Sequence, residues 1–201
     1  LQKKYIPFVL VSLVLLVDQA SKLLVKTQMF LGESIPVFGK YFQLYFIENN
    51  GMAFGYEFAG EYGKLFLTLF RLVAVGFISY YIFKLVKKPE TTTSAIVALS
   101  LILAGALGNI IDSVFYGVVF GYESLFHGRV VDMLYFPLWE GFLPSWIPIW
   151  GGDYFIFFRH IFNVADAAIT TGVLFILLFQ KRIFPPELPK SDTNESETAA
   201  A

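Results

Sequence analysis

The chain has 201 residues, one ordinary domain by length. It is 56% hydrophobic and 18% aromatic but only 15% charged, with a mean hydropathy of +0.63, whereas soluble domains carry about a quarter charged residues; this is the composition of a membrane-embedded protein. A net charge of −1 gives no footprint for nucleic acid, the absence of cysteine removes disulfides and thiolate chemistry, and two histidines, His127 and His160, are too few for a histidine zinc site, so no cofactor is expected.

Four segments are long enough to cross a hydrocarbon core about 30 Å thick at about 1.5 Å per residue: Ile6–Val25, Leu65–Val86, Ser94–Ile111 and Ile161–Ile183. The first follows Lys3 and Lys4, as a secretory signal would. Its apolar run is too long for a signal core and lacks a small-x-small cleavage site before Lys26, so it reads as a retained span. The connection from Thr27 to Lys64 contains YFQLYFIENNGMAF, whose alternating large apolar residues predict short β-strands and whose ENNG predicts a turn. Only Arg71 and Gly76 interrupt the second span. The third carries Ala104, Gly105, Ala106 and Gly108, small residues that admit a close helical neighbour.

A second long connection, Asp112 to His160, includes FPLWEGFLPSWIPIWGGDYFIFF. It is apolar enough for a fifth span, but Pro137, Pro144 and Pro148 would interrupt the helix. Trp139, Trp146 and Trp150 favour a position among lipid headgroups instead. The fourth span closes one domain over residues 1–184, and residues 185–201, without apolar period, are expected to form a disordered tail.

Basic residues gather on one side of this plan: Lys3 and Lys4, KLVKKPETTT after the second span, and QKR leaving the fourth. That side, with both termini, is expected to be cytoplasmic. The fold class expected is therefore a mainly α membrane protein of four transmembrane helices. Its outer connections form a small extracytoplasmic β-rich cradle and an interfacial aromatic segment.

Polar residues inside such a chain are costly and call for a reason. Asp18 in LVDQASK can pair with Lys22 one turn later, or support an active site; the two are compatible. Span three ends GNIID, with Asn109 and Asp112 three residues apart and so on one face. The helix dipole disfavours a carboxylate at a C-terminus, so Asp112 needs a partner there or a frayed, wetted end. Span four opens FNVAD. Asn163 as N-cap with Asp166 three residues on is good helix chemistry, and catalysis is an equal alternative. GRVVD places Asp132 in a strand-like run, where a lone aspartate is usually a solvated loop residue. Asp112, Asp132 and Asp166 nevertheless fall at one face of a charge-poor chain. Two neighbouring carboxylates cannot both ionise, so one can activate water while the other, protonated, stabilises an oxyanion and donates to a leaving nitrogen.

Together VDQASK, NNGMAF, GALGNIID, GRVVD and FNVADAAI, in this order from Asp18 to about Thr171, resemble the motifs of lipoprotein signal peptidase. This is the signal peptidase II family of bacterial membrane aspartyl proteases. The resemblance implies that Asp132 and Asp166 are the catalytic pair, with Asn163, Asp112 and Asn109 around them. Asp18 and Lys22 match the family's first-span motif, and Asn49, Gly51, Ala53 and Phe54 match a loop that helps form the substrate cradle. It also implies a prolipoprotein substrate whose cysteine carries diacylglycerol, with cleavage just before that cysteine, and inhibition by globomycin-type cyclic peptides. The site would face outward from a bacterial cytoplasmic (inner) membrane, in contact with membrane lipid. Two features depart from the family. Ser113 follows Asp112 where the family usually has arginine, a role left to Arg129 or Arg71, and the stretch between Asp132 and Asn163 is long, suggesting an interfacial flap. The rival readings are a presenilin-type protease, whose Gly-x-Gly-Asp signature is missing, a non-enzymatic membrane scaffold, which leaves the Asn and Asp pairs without purpose, and a small proton-coupled transporter. The transporter predicts carboxylates at mid-membrane depth.

Overall fold

A computed structural model describes residues 2–50 and 60–183, apart from the side chains of residues 60–62 and 182. Gly51, Ala53 and Phe54 of the expected cradle loop, and the tail from residue 185, lie outside the described residues. Among the described residues four helices have the length and apolar character to cross a membrane. After a 3-10 turn at Lys3–Tyr5 comes α1 (Ile6–Gln28), with Pro7 in the first turn, where a missing N–H costs nothing. Then follow α2 (Gly60–Val86) and α3 (Thr93–Ile111), and the last span is α5 (Val164–Ile183).

Two expected boundaries move, each for a physical reason. Span three does not stop at Ile111. Helical geometry continues through a π-helical turn, Asp112–Tyr116, into the single turn α4 (Gly117–Val119). Asp112 is therefore no frayed terminus: it is buried in a widened turn, a distortion often found at functional sites. Span four starts later than Ile161, because Ile161–Phe162 form a strand, and an apolar strand end looks like a first helical turn in sequence.

α3 is the central helix, packed against α1, α2 and α5. Lipid supplies no hydrophobic drive for helices to associate, so close backbone approach and polar bonds must hold them. A Cβ on Gly105 would stand 2.2 Å from the Ala165 carbonyl oxygen, and one on Gly172 would stand 2.7 Å from that of Ala98, so α3 and α5 meet nearly backbone to backbone. At the end of the bundle where α1 begins and α5 ends, Lys3 Nζ donates to the carbonyls of Pro89 (2.8 Å) and Thr91 (2.7 Å). Thr92 caps α3 by accepting from Ala95 N at 3.2 Å, and its hydroxyl donates to Ile183 O at 2.9 Å.

At the opposite end β1 (Ser34–Phe38), β2 (Phe42–Asn49), β3 (Val130–Tyr135) and β6 (Ile161–Phe162) form an antiparallel sheet in the order β1-β2-β3-β6. The sheet covers a small core of Val25, Met29, Phe46, Tyr116, Val131 and Met133. Strand side chains alternate, so with Val131 and Met133 facing that core Asp132 points to the other face, toward the start of α5. β4 (Trp139–Phe142) and β5 (Tyr154–Phe157) make a separate hairpin with Trp139, Phe142, Tyr154 and Phe157 exposed. Trp146 and Trp150 between these strands are 78% and 61% exposed, a surface suited to headgroups rather than water.

Candidate active site

The site is built on the first turn of α5. Asn163 Oδ1 accepts from Asp166 N at 2.9 Å, and Asp166 Oδ2 faces Asn163 N at 3.4 Å, the reciprocal capping box that this spacing favours. Another free N–H of that turn, Ala165 N, is capped from α1 by Asp18 Oδ1 at 2.8 Å. A serine or aspartate could cap equally well; asparagine adds an amide nitrogen. Asn163 Nδ2 donates to Asp132 Oδ1 at 2.6 Å, with Asn109 Oδ1 at 3.2 Å and Val131 O at 3.3 Å alongside. One fully buried side chain thus holds Asp132 with its nitrogen and the start of Asp166 with its oxygen. Asn109 Nδ2 donates to Asp166 Oδ1 at 2.8 Å, and Asn49 Nδ2 reaches Asp132 Oδ2 at 3.3 Å.

Beneath this layer lies an ion cluster closed to solvent. Lys22, Asp18 and Asp112 are each 0% exposed. Lys22 Nζ meets Asp18 Oδ2 at 2.9 Å, Asp112 Oδ2 at 2.8 Å and Asn109 Oδ1 at 3.0 Å, one acceptor for each ammonium proton. Asp112 also accepts from Gln19 Nε2 at 2.9 Å and from Val131 N at 3.3 Å, tying α1 and the π-helical turn to the strand that carries Asp132. Gly108 makes room, since a Cβ there would stand 2.6 Å from Asp18 Oδ2. Asp18 is thus ion-paired through Oδ2 while its Oδ1 caps α5.

The two candidate arginines go to different places. Arg71 Nη1 lies 3.4 Å from Ser113 Oγ, and its guanidinium is within electrostatic reach of Asp166, Asp112 and Asp132. Arg129 is not brought to the aspartates. It pairs with Glu48 at 3.1 Å and stacks over Tyr122 at 5.3 Å. Lys26 pairs with the same Glu48; although burial pushes that carboxyl up, the two cations leave it below its ordinary value.

Asp132 is 2% exposed, and burial first, then the charge of Asp166, pushes its carboxyl up to about 7. Asp166 is only half-buried and lines a cavity of about 420 Å³ with Phe158, His160, Phe162, Ala167, Thr170 and Thr171. The cavity lies beside the first two turns of α5, with Phe158 held at φ 63°. A buried carboxyl with a raised affinity for its proton, beside a second one open to a cavity, is the arrangement that acid–base hydrolysis needs.

Two contributors escaped the sequence reading. Gln19 donates to Asp112 and accepts from the Tyr116 hydroxyl at 3.1 Å, linking α1 to the π-helical turn. Its signal was available, as a polar residue beside Asp18 in an apolar span. Tyr116 gave none, since aromatics are common throughout the chain.

The description of signal peptidase (SPase) II as a family matches residues 10–181. The chain is 48% identical to the lipoprotein signal peptidase of Porphyromonas gingivalis strain W83, over 94% of this chain and 91% of that protein. It is 39% identical to the lipoprotein signal peptidase of Amoebophilus asiaticus, over 91% of this chain and 80% of that one. Among solved structures, a bacterial membrane enzyme determined by the in meso method at 2.3 Å resolution aligns with a TM-score of 0.59 at 27% identity, covering 90% of this chain and 93% of the other.

Proposed function

Since this chain belongs to the signal peptidase II family, aspartic endopeptidases that cleave signal peptides from prolipoproteins, we propose that Asp132 and Asp166 are its catalytic pair. The carrying observation is Asn163, whose amide bonds Asp132 at 2.6 Å while its oxygen caps Asp166. In this reading Asp132 enters with the proton, in keeping with its value near 7. Asp166, beside the helix N-terminus where a negative charge is favoured, acts as the base. It removes a proton from water as the water oxygen bonds to the scissile carbonyl carbon. The Asp132 hydroxyl stabilises the oxygen that becomes negative. When the C–N bond breaks, the departing nitrogen takes the proton held by the pair, and the carboxyl product leaves.

Lys22, Asp18, Asp112, Gln19 and Asn109 act as positioning residues, fixing α5 and β3 so that the two carboxylates face each other. Arg71 offsets part of the negative charge: four aspartates, Asp18, Asp112, Asp132 and Asp166, share the neighbourhood with Lys22 and Arg71 as its cations. The substrate in this reading arrives in the membrane plane with diacylglycerol on its cysteine and enters the cavity beside Asp166. Globomycin-type cyclic peptides would compete at the same place. The single domain of residues 1–184 lies with both termini cytoplasmic, supported by the basic residues at one end of the bundle. The β4–β5 hairpin lies on the outer headgroups.

The test is cleavage of a diacylglyceryl-modified prolipoprotein, read by gel mobility in detergent, with a chelator control. Wild type should cleave with or without chelator, and Asp132→Asn and Asp166→Asn should each abolish the product while melting cooperatively. Cleavage persisting in either variant would move the role to Asp112 or Asp18.

A further inference from the structure

A second cavity lies at the opposite end of the bundle from the aspartates. It occupies about 660 Å³ between α1 and α2, its lining including Lys4, Phe8, Ser79, Ile82, Phe83, Lys87 and Leu103 of α3. It exists because α1 and α2 both pack on α3 and scarcely on each other. Its size falls within the roughly 300–1,000 Å³ of pockets that enclose organic ligands. The walls are aliphatic and aromatic, and the polar groups are two ammoniums and one hydroxyl.

Those ammoniums are the informative part. Among the described residues neither Lys4 nor Lys87 has a carboxylate within ion-pair distance. Each lies over a ring, Lys4 Nζ 4.8 Å from the centre of Tyr5 and Lys87 Nζ 3.8 Å from that of Phe83. A ring face engages one side of an ammonium and leaves donors over for an oxyanion. Neighbouring Lys3 differs, because it is committed to the carbonyls of Pro89 and Thr91. Two uncommitted cations on opposite walls, above a crevice walled by Phe8, Ile82, Phe83 and Leu103, match a molecule with an anionic head and a long apolar chain.

We propose that this crevice is a binding site for one anionic phospholipid, its phosphate between Lys4 and Lys87 and an acyl chain lying between α1 and α2 against Leu103. A zwitterionic lipid carries a cation of its own beside the phosphate and gains less from the pair. The site is separate from the peptidase chemistry and stands whether or not the aspartate pair is catalytic. Bound lipid would fill the gap between two helices that otherwise scarcely touch.

The experiment is native mass spectrometry of the delipidated protein in detergent, titrated with dioleoyl phosphatidylglycerol or with dioleoyl phosphatidylcholine. Wild type should retain one phosphatidylglycerol at least tenfold more tightly than phosphatidylcholine. Lys4→Gln/Lys87→Gln, changes at exposed side chains, should erase that difference, whereas Lys40→Gln at the other end of the molecule should leave it intact. Ser79→Phe, which fills the crevice below the lysines, should weaken both lipids. Equal retention of the two lipids by wild type, preference persisting in the double variant, or a protein dimer displacing lipid would each overturn the assignment.

Discussion

Replacing Asp132 by asparagine should stabilise the protein, and should do so in a pH-dependent way. Asp132 is 2% exposed and its carboxyl is raised from 3.8 to about 7. In the unfolded chain that group ionises near pH 4; in the fold it keeps its proton until about pH 7. Stability is therefore lost progressively as pH rises between those values and is flat above them. Three pH units at about 1.4 kcal/mol each set an upper limit of about 4 kcal/mol by pH 8. The asparagine amide cannot accept from both Asn163 and Asn49, which returns about 1 kcal/mol, and chains unfolded in detergent stay partly desolvated. A net gain of about 2 kcal/mol at pH 8 remains, or roughly 5 °C in apparent Tm for a chain of this size. At pH 5 the same balance leaves almost nothing. Tryptophan fluorescence during heating, in one detergent across pH 5 to 8, measures it directly. A gap between Asp132→Asn and wild type that is constant with pH, or that widens toward pH 5, would refute the view that a buried, proton-retaining carboxyl is held here against the stability of the fold.

Other substitutions separate the roles of the surrounding groups. Asn163→Ser keeps an oxygen for the cap but removes the amide that holds Asp132. Cleavage should fall at least tenfold while Tm moves by only a few degrees, about 1 kcal/mol or less. Lys22→Met leaves Asp18 and Asp112 buried without a cation and should cost about 3–5 kcal/mol, seen as low yield and a lowered Tm. Adding Asp112→Asn should recover part of that loss. Gly105→Ala forces α3 away from α5, because the new Cβ would meet Ala165 O at 2.2 Å. It should reduce cleavage and melting temperature together, whereas Gly76→Ala, in open space on α2, should change neither.

The helical plan was legible because apolar length is a one-dimensional signal. Asn163 and Asp166 were legible as a cap for the same reason: a capping box is local. What a linear pattern does not carry is the pairing that brings β3 beside α5, so Asp132 in GRVVD looked like a solvated residue until the sheet buried it. Asp112 misled in the opposite direction. An acidic residue after a long apolar run reads as a helix end, but the buried Lys22 on another helix lets the chain wind on through a π-helical turn. Arg129 and Arg71 were indistinguishable as substitutes beside Ser113, since only the fold shows that Glu48 engages the first and that the second lies near the aspartates.

The cap that Asp18 supplies to Ala165 joins the first span to the last across 147 positions of sequence. During synthesis the chain emerges N-terminus first, so Asp18 and Lys22 enter the membrane long before their partner exists. The turn that presents Asp166 acquires its second cap only when the final helix has docked on α1 and α3. A truncated product ending before Asn163 would contain Asp132 without Asp166 or Asn163, and an undocked last helix would lack the hydrogen bonds from Asn109 and to Asp18. If Asp132 and Asp166 are the catalytic pair, competence to hydrolyse a peptide bond arrives as the last event of assembly. A half-made copy in the membrane would then carry only one carboxylate of the proposed pair.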